Sequence, residues 1–108
     1  MLKCVFYKNG GSFSGFRING HAGYETENGD VVCAAVSSST MLVCNTITDF
    51  FKVKADVEVL ENQITLRLLE NNKPAVQLLE SFYTHIKMIA EDYTKVKIEI
   101  KSGGKEND

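Results

Sequence analysis

The sequence predicts an α+β fold, a single mixed or antiparallel sheet with two helices in the order ββαββαβ. Three observations carry that expectation. Ile64, Leu66 and Leu68 alternate with Thr65 and Arg67, and Val96, Ile98 and Ile100 alternate with Lys95, Lys97, Glu99 and Lys101. A period of two marks half-buried strands. Leu79, Phe82, Tyr83, Ile86, Ile89, Ala90 and Tyr93 instead recur at helical spacing. The 108 residues, 44% hydrophobic and with one proline, suffice for one core and leave little room for a second.

Leu2 to Tyr7 is apolar and β-prone, and Lys8-Asn9-Gly10-Gly11 ends it with a turn signal. Ser12 to Asn19, with Phe13, Phe16 and Ile18, reads as its hairpin partner. Gly20 to Gly29 is glycine-rich and polar, hence a mobile loop. Asp30 reads as the N-cap of a helix running to about Phe51. Val32, Ala35, Val36, Leu42, Val43, Thr46, Ile47 and Phe50 leave two of its faces apolar, so burial on more than one side is expected.

Ala55 to Leu60 and Gln63 to Leu69 read as strands joined by a tight turn at Glu61-Asn62. Asn71-Asn72-Lys73-Pro74 starts the second helix, with Pro74 where a helix tolerates it. Val96 begins the last strand. The expected domain covers residues 1–101, and 102–108 is a polar, frayed tail.

The net charge of −2 gives no reason to expect nucleic acid or a membrane surface as a partner. No N-terminal signal pattern is visible, no apolar segment reads as long enough to cross a bilayer, and a cytoplasmic protein is expected. Three cysteines, an odd number, do not make a disulfide framework. Cys33 and Cys44 would lie about 16 Å apart along one helix, too far to bond. Without CxxC or HxxxH, and with two histidines, neither a metal nor another cofactor is expected. Cys4, in a strand pattern, reads as packing.

The pair that carries chemistry is His21, in Ile18-Asn19-Gly20-His21-Ala22-Gly23, and Cys33, in Asp30-Val31-Val32-Cys33-Ala34-Ala35-Val36-Ser37. A thiol in the first turn of a helix is favoured as thiolate by free N–H groups and the helix dipole. A histidine across a flexible loop can serve as its base, which is the minimum equipment of a cysteine hydrolase. Taken singly, each residue also has a plain reading. Cys33 would be a small core residue and His21 a turn histidine facing solvent. Asp30 caps the helix or orients the imidazole. Ser37, one turn after Cys33, hydrogen-bonds the imidazole, lines a pocket or bonds back to a carbonyl. Thr40 and Cys44 continue the Cys33 stripe as packing residues, and His85 reads as structural.

Gly20-His21-Ala22, a short loop, and the run Asp30 to Ser37 together resemble the ribosomal-processing cysteine protease family, Prp, and the likeness extends to the second helix and the closing strand. The resemblance implies a peptidase of Gram-positive and related bacteria. Its substrate would be the precursor of large-subunit ribosomal protein twenty-seven, cut after phenylalanine in a Phe-Phe-Ala-like motif to remove an N-terminal extension. It further implies that His21 and Cys33 are the catalytic dyad and that Asp30 and Ser37 are accessory. Gly20 would be a hinge for the loop, and the protein a homodimer. Against this stand a non-catalytic ribosome-assembly binding module and, more weakly, a thiol redox or acyl-transfer protein. Redox use would want a resolving cysteine nearer than Cys44.

Overall fold

The structure, a computed structural model, describes residues 2–20 and 27–102, with side chains for 2–20 and 31–102. The chain runs β1 (Leu2–Asn9), β2 (Ser12–Gly20), α1 (Glu27–Asn45), β3 (Ala55–Leu60), β4 (Gln63–Leu68), α2 (Lys73–Asp92) and β5 (Val96–Ser102). The five strands form one sheet in the order β3-β4-β2-β1-β5. Only β1 and β5 are parallel; the other pairs are antiparallel. The sheet is therefore mixed, and the expected α+β order holds.

β1 and β2 form the expected hairpin through Gly10 and Gly11. Both have positive φ, 64° and 87°, as a two-residue turn matched to the strand twist demands. Between Tyr7 and Lys8 the pairing slips, so that Tyr7 faces Gly15 while Lys8 faces Phe13. This bulge is why Phe13 and Phe16, an odd number of residues apart, both bury in the same core.

Both helices pack on one face of the sheet, over Leu2, Cys4, Phe6, Phe16, Ile18, Leu66 and Val96. Phe6 and Phe16 are cross-strand partners. The Phe82 ring of α2 meets both, with centroids 5.6 and 5.0 Å apart, and Tyr83 meets Phe6 at 5.2 Å. Edge-on contacts of this kind add to simple area burial. At the start of α2 the Asn72 side chain accepts the Ala75 N–H at 3.0 Å, with Pro74 in the first turn.

Three expectations about α1 need correction. Asp30 is not its N-cap, because helical backbone already covers Glu27–Asn45. Acidic residues suit a first turn, where the dipole is positive, and Gly29 weakens a helix without ending it. Nor is α1 buried on more than one side within this chain. Val32, Val36, Thr40, Val43 and Cys44 are buried, but Val31 and Leu42 are 58% and 67% exposed. Finally, Val31–Phe50 is long and apolar enough by composition to span a membrane, with a mean hydropathy of 1.5. The same segment is the helix that covers the sheet, and one such helix is weak evidence for a span. It continues past Asn45 as a π-helical turn, Thr46–Phe50, with Thr46 and Thr48 hydroxyls bonded back to Leu42 and Cys44 carbonyls.

The remaining boundaries fall within two residues of expectation, Ser102 closing β5 rather than opening the tail. Residues 21–26, most of the expected loop, and 103–108 of the expected tail lie outside the described residues.

Candidate active site

At one end of the sheet β2 finishes at Gly20, opposite Leu2. Gly20 has φ = 91°, a region open to glycine and strained for other residues. Its N–H donates to the Asn62 carbonyl at 2.8 Å, fastening the end of β2 to the β3–β4 turn. Above this corner runs α1, presenting Cys33, Ser37 and Met41 at intervals of four residues along one face.

Between α1 and the hairpin lies a cleft of about 270 Å³. Cys33, Ser37 and Met41 form one wall, Val59, Leu60 and the Glu61–Ile64 segment the other, and Leu2, Ile18 and Gly20 also line it. Cys33 is half-buried and packs against the core on its inner side, so the thiol is both supported and within reach of the cleft.

Cys4 and Cys44 differ. Both are buried, and burial pushes their thiols up to about 12 and about 11 respectively. Such groups are inert at neutral pH, since the thiolate is the nucleophile. Their packing role, and that of Thr40, is as expected: Thr40 is fully buried and bonds back to the Val36 carbonyl at 2.6 Å. Ser39 makes similar bonds to Ala35 and Val36. His85 is exposed on α2 rather than built into the core.

The cleft thus brings together three of the sequence-derived site positions, Gly20, Cys33 and Ser37. His21, the residue after Gly20 in the sequence, lies outside the described residues. Asp30 lies in the first turn of α1, and its side chain is likewise outside the described residues. Cys33 falls in the second turn, beyond the unsatisfied N–H groups that begin a helix. The expected place of Cys33 in the first turn of the helix is thereby corrected. Among the described residues no cluster of three His, Cys, Asp or Glu side chains is placed to hold a metal.

Sequence reasoning missed the wall made by Val59 to Ile64, and Met41 with it. A strand register decides which turn arrives beside α1, and no local pattern carries that.

The family model for the cysteine protease Prp matches residues 1–99. The chain belongs to the Prp family of cysteine proteases. Solved structures agree in fold. The essential ribosomal processing protease Prp from Staphylococcus aureus, with a covalently linked product peptide, is 22% identical with a TM-score of 0.85, over 94% of this chain and 100% of that one. The same protease with a substrate peptide is 20% identical, TM-score 0.81, over 95% and 100%. SMU.848 from Streptococcus mutans is 23% identical, TM-score 0.79, over 95% and 96%. No curated protein matches the chain. As a Prp protease the chain is a hydrolase whose family chemistry needs a reactive cysteine, and two of its three cysteines are sealed in the core.

Proposed function

We propose that this Prp protease removes the N-terminal extension of the precursor of large-subunit ribosomal protein twenty-seven, cutting after phenylalanine in a Phe-Phe-Ala-like sequence. Cys33 is the nucleophile and His21 the general acid and base. The observation that carries the assignment is the position of Cys33: it is the half-buried cysteine of the three and shares a cleft with Gly20, the residue before His21.

His21 takes the proton from the Cys33 thiol, and the thiolate Sγ attacks the scissile carbonyl carbon to give a tetrahedral oxyanion. Collapse breaks the C–N bond, with His21 returning the proton to the departing amine. The amine is the new N-terminus of the mature protein. Water, deprotonated by His21, then attacks the thioester and releases the extension as a carboxylate while the thiol is restored. Asp30 orients the imidazole from the first turn of α1, and Ser37 lines the cleft one turn beyond Cys33. Gly20 is the hinge of the intervening loop. The apolar side chains of Leu2, Ile18, Met41, Val59 and Ile64 give the cleft a lining suited to phenylalanine.

The protease works in the cytoplasm on a peptide segment, without a cofactor and without contacting nucleic acid. It acts as a homodimer, and the exposed apolar residues Val31 and Leu42 on the outer face of α1 are the surface that a second copy would cover.

The test is cleavage of a peptide spanning a Phe-Phe-Ala junction, read by mass spectrometry, with the wild type and Cys33→Ala. One cut after phenylalanine, absent with Cys33→Ala, is the expected result. No cut by the wild type at high enzyme concentration would favour a non-catalytic ribosome-assembly module.

A further inference from the structure

Among the described residues β3 is an edge strand, and of the features that commonly keep an edge from pairing it has the charged side chains Asp56 and Glu58, which share the open face of the sheet. Ala55–Leu60 holds no lysine and no proline. Its pairing with β4 runs from Ala55–Leu68 to Leu60–Gln63 without a register shift. The other edge, β5, carries Lys97 and Lys101.

The turn decides which backbone groups of β3 are free. Leu60 and Gln63 flank a two-residue loop and so exchange hydrogen bonds, as do Glu58 with Thr65 and Asp56 with Arg67 in the same alternation. The Leu69 N–H bond to the Lys54 carbonyl, 2.9 Å, has the same parity. Ala55, Val57 and Val59 therefore turn their N–H and C=O groups away from β4. The side chains of Val57 and Val59 lie on the helix side of the sheet, opposite Leu66 and Ile64. They are nevertheless 38% and 55% exposed, because the helix layer stops short of this edge. Val59 and Leu60 also line the cleft that holds Cys33, so the free edge and the cleft are continuous.

We infer that the substrate binds as an added strand along the free edge of β3, exchanging backbone hydrogen bonds with Val57 and Val59. This rests on the protease reading above and names how that site holds its peptide. Such a strand lies about 4.8 Å beyond β3. Its alternate side chains fall on the helix side, next to Val59 and the cleft, while the others face Glu58 on the open side, where neutral or basic residues are favoured. Main-chain pairing supplies affinity and register, and the cleft selects the side chain. Continuity with the Cys33 cleft favours a peptide over a second copy of β3, which would pair equally well with the edge but has no use for the cleft.

The experiment uses a fluorescein-labelled peptide with Phe-Phe-Ala at its centre and a series of the same peptide carrying one backbone N-methyl group each. Binding to Cys33→Ala is read by anisotropy, and exchange of the Val57 and Val59 amides is followed by NMR with and without peptide. The expected result is a tenfold or greater loss of affinity at alternate positions and less than threefold between them. Exchange at Val57 and Val59 slows at least tenfold in the complex. A flat N-methyl profile overturns the inference, as does unchanged exchange at those amides or no binding of the parent peptide at millimolar concentration. Protection present without peptide and lost on dilution overturns it in favour of pairing between copies. The alternating pattern without cleavage by the wild type would sink the protease reading and leave strand addition standing. Cleavage with a flat profile does the reverse.

Discussion

Gly20 is held to Asn62 by a 2.8 Å hydrogen bond from its N–H to the turn carbonyl, while its own φ is 91°. A strand end, a hairpin turn and the approach to His21 are thereby set by one residue that has no side chain.

Gly20→Ala therefore acts on both stability and activity. A Cβ at this φ costs about 1–2 kcal/mol, and the strain is relieved by moving the backbone next to His21. Urea unfolding should show a loss of that size. kcat/KM for the Phe-Phe-Ala peptide should fall by at least tenfold. A stable variant with full activity would remove Gly20 from the site.

The three thiols separate by accessibility and by pH. Iodoacetamide at pH 7.5 should alkylate Cys33 in the native protein and leave Cys4 and Cys44, raised from 9.0 to about 12 and about 11, untouched until the chain is unfolded. The same shifts make stability depend on pH. A thiol whose folded value is raised contributes its full share below the unfolded value near 9. That share is lost as pH rises towards the folded values, because the unfolded chain gives up its protons first. Urea midpoints should be flat from pH 7 to 8.5 on this account and fall between pH 9 and 11, with a gentler fall in Cys4→Ala.

Lys52 is the non-glycine residue with positive φ among those described, 56°, directly after the π-helical turn and Phe51. Helices commonly end on such a left-handed residue, and glycine is preferred there. Lys52 is exposed, so its side chain has little packing to lose. Lys52→Gly should raise stability by about 0.5–1 kcal/mol without altering cleavage. A loss in the urea midpoint would mean that its side chain holds the turn.

The elements and the site were legible to different depths. β3 and β4 could be placed because Ile64, Leu66 and Leu68 alternate strictly and Glu61-Asn62 leaves room for a two-residue turn alone. The start of α1 differs from the expectation because Asp30 has the chemistry of a cap and Gly29 the look of a boundary, while helical backbone begins at Glu27. Local signals cannot tell an N-cap from an acidic first-turn residue, since the same electrostatics favour both. Cys33 and Gly20 could be singled out from motif and turn chemistry. That Val59 and the Glu61–Ile64 segment would share a cleft with Met41 depended on the order β3-β4-β2, a long-range outcome.

Val59 separates substrate binding from folding most cleanly. It is 55% exposed although it lines the Cys33 cleft from the helix side of β3, so little of its apolar surface is committed to the core. An exposed change of this kind shifts stability by about 0.5 kcal/mol or less. On the proposed function the same side chain would be covered in the complex by the phenylalanine before the cut, at roughly 25 cal/mol per Å² of apolar surface. Val59→Ser should therefore raise KM for the Phe-Phe-Ala peptide about five- to twentyfold while kcat stays within twofold and the urea midpoint scarcely moves. A fall in kcat at constant KM would instead place Val59 in positioning the scissile bond, and no kinetic change at all would show that phenylalanine occupies another wall of the cleft.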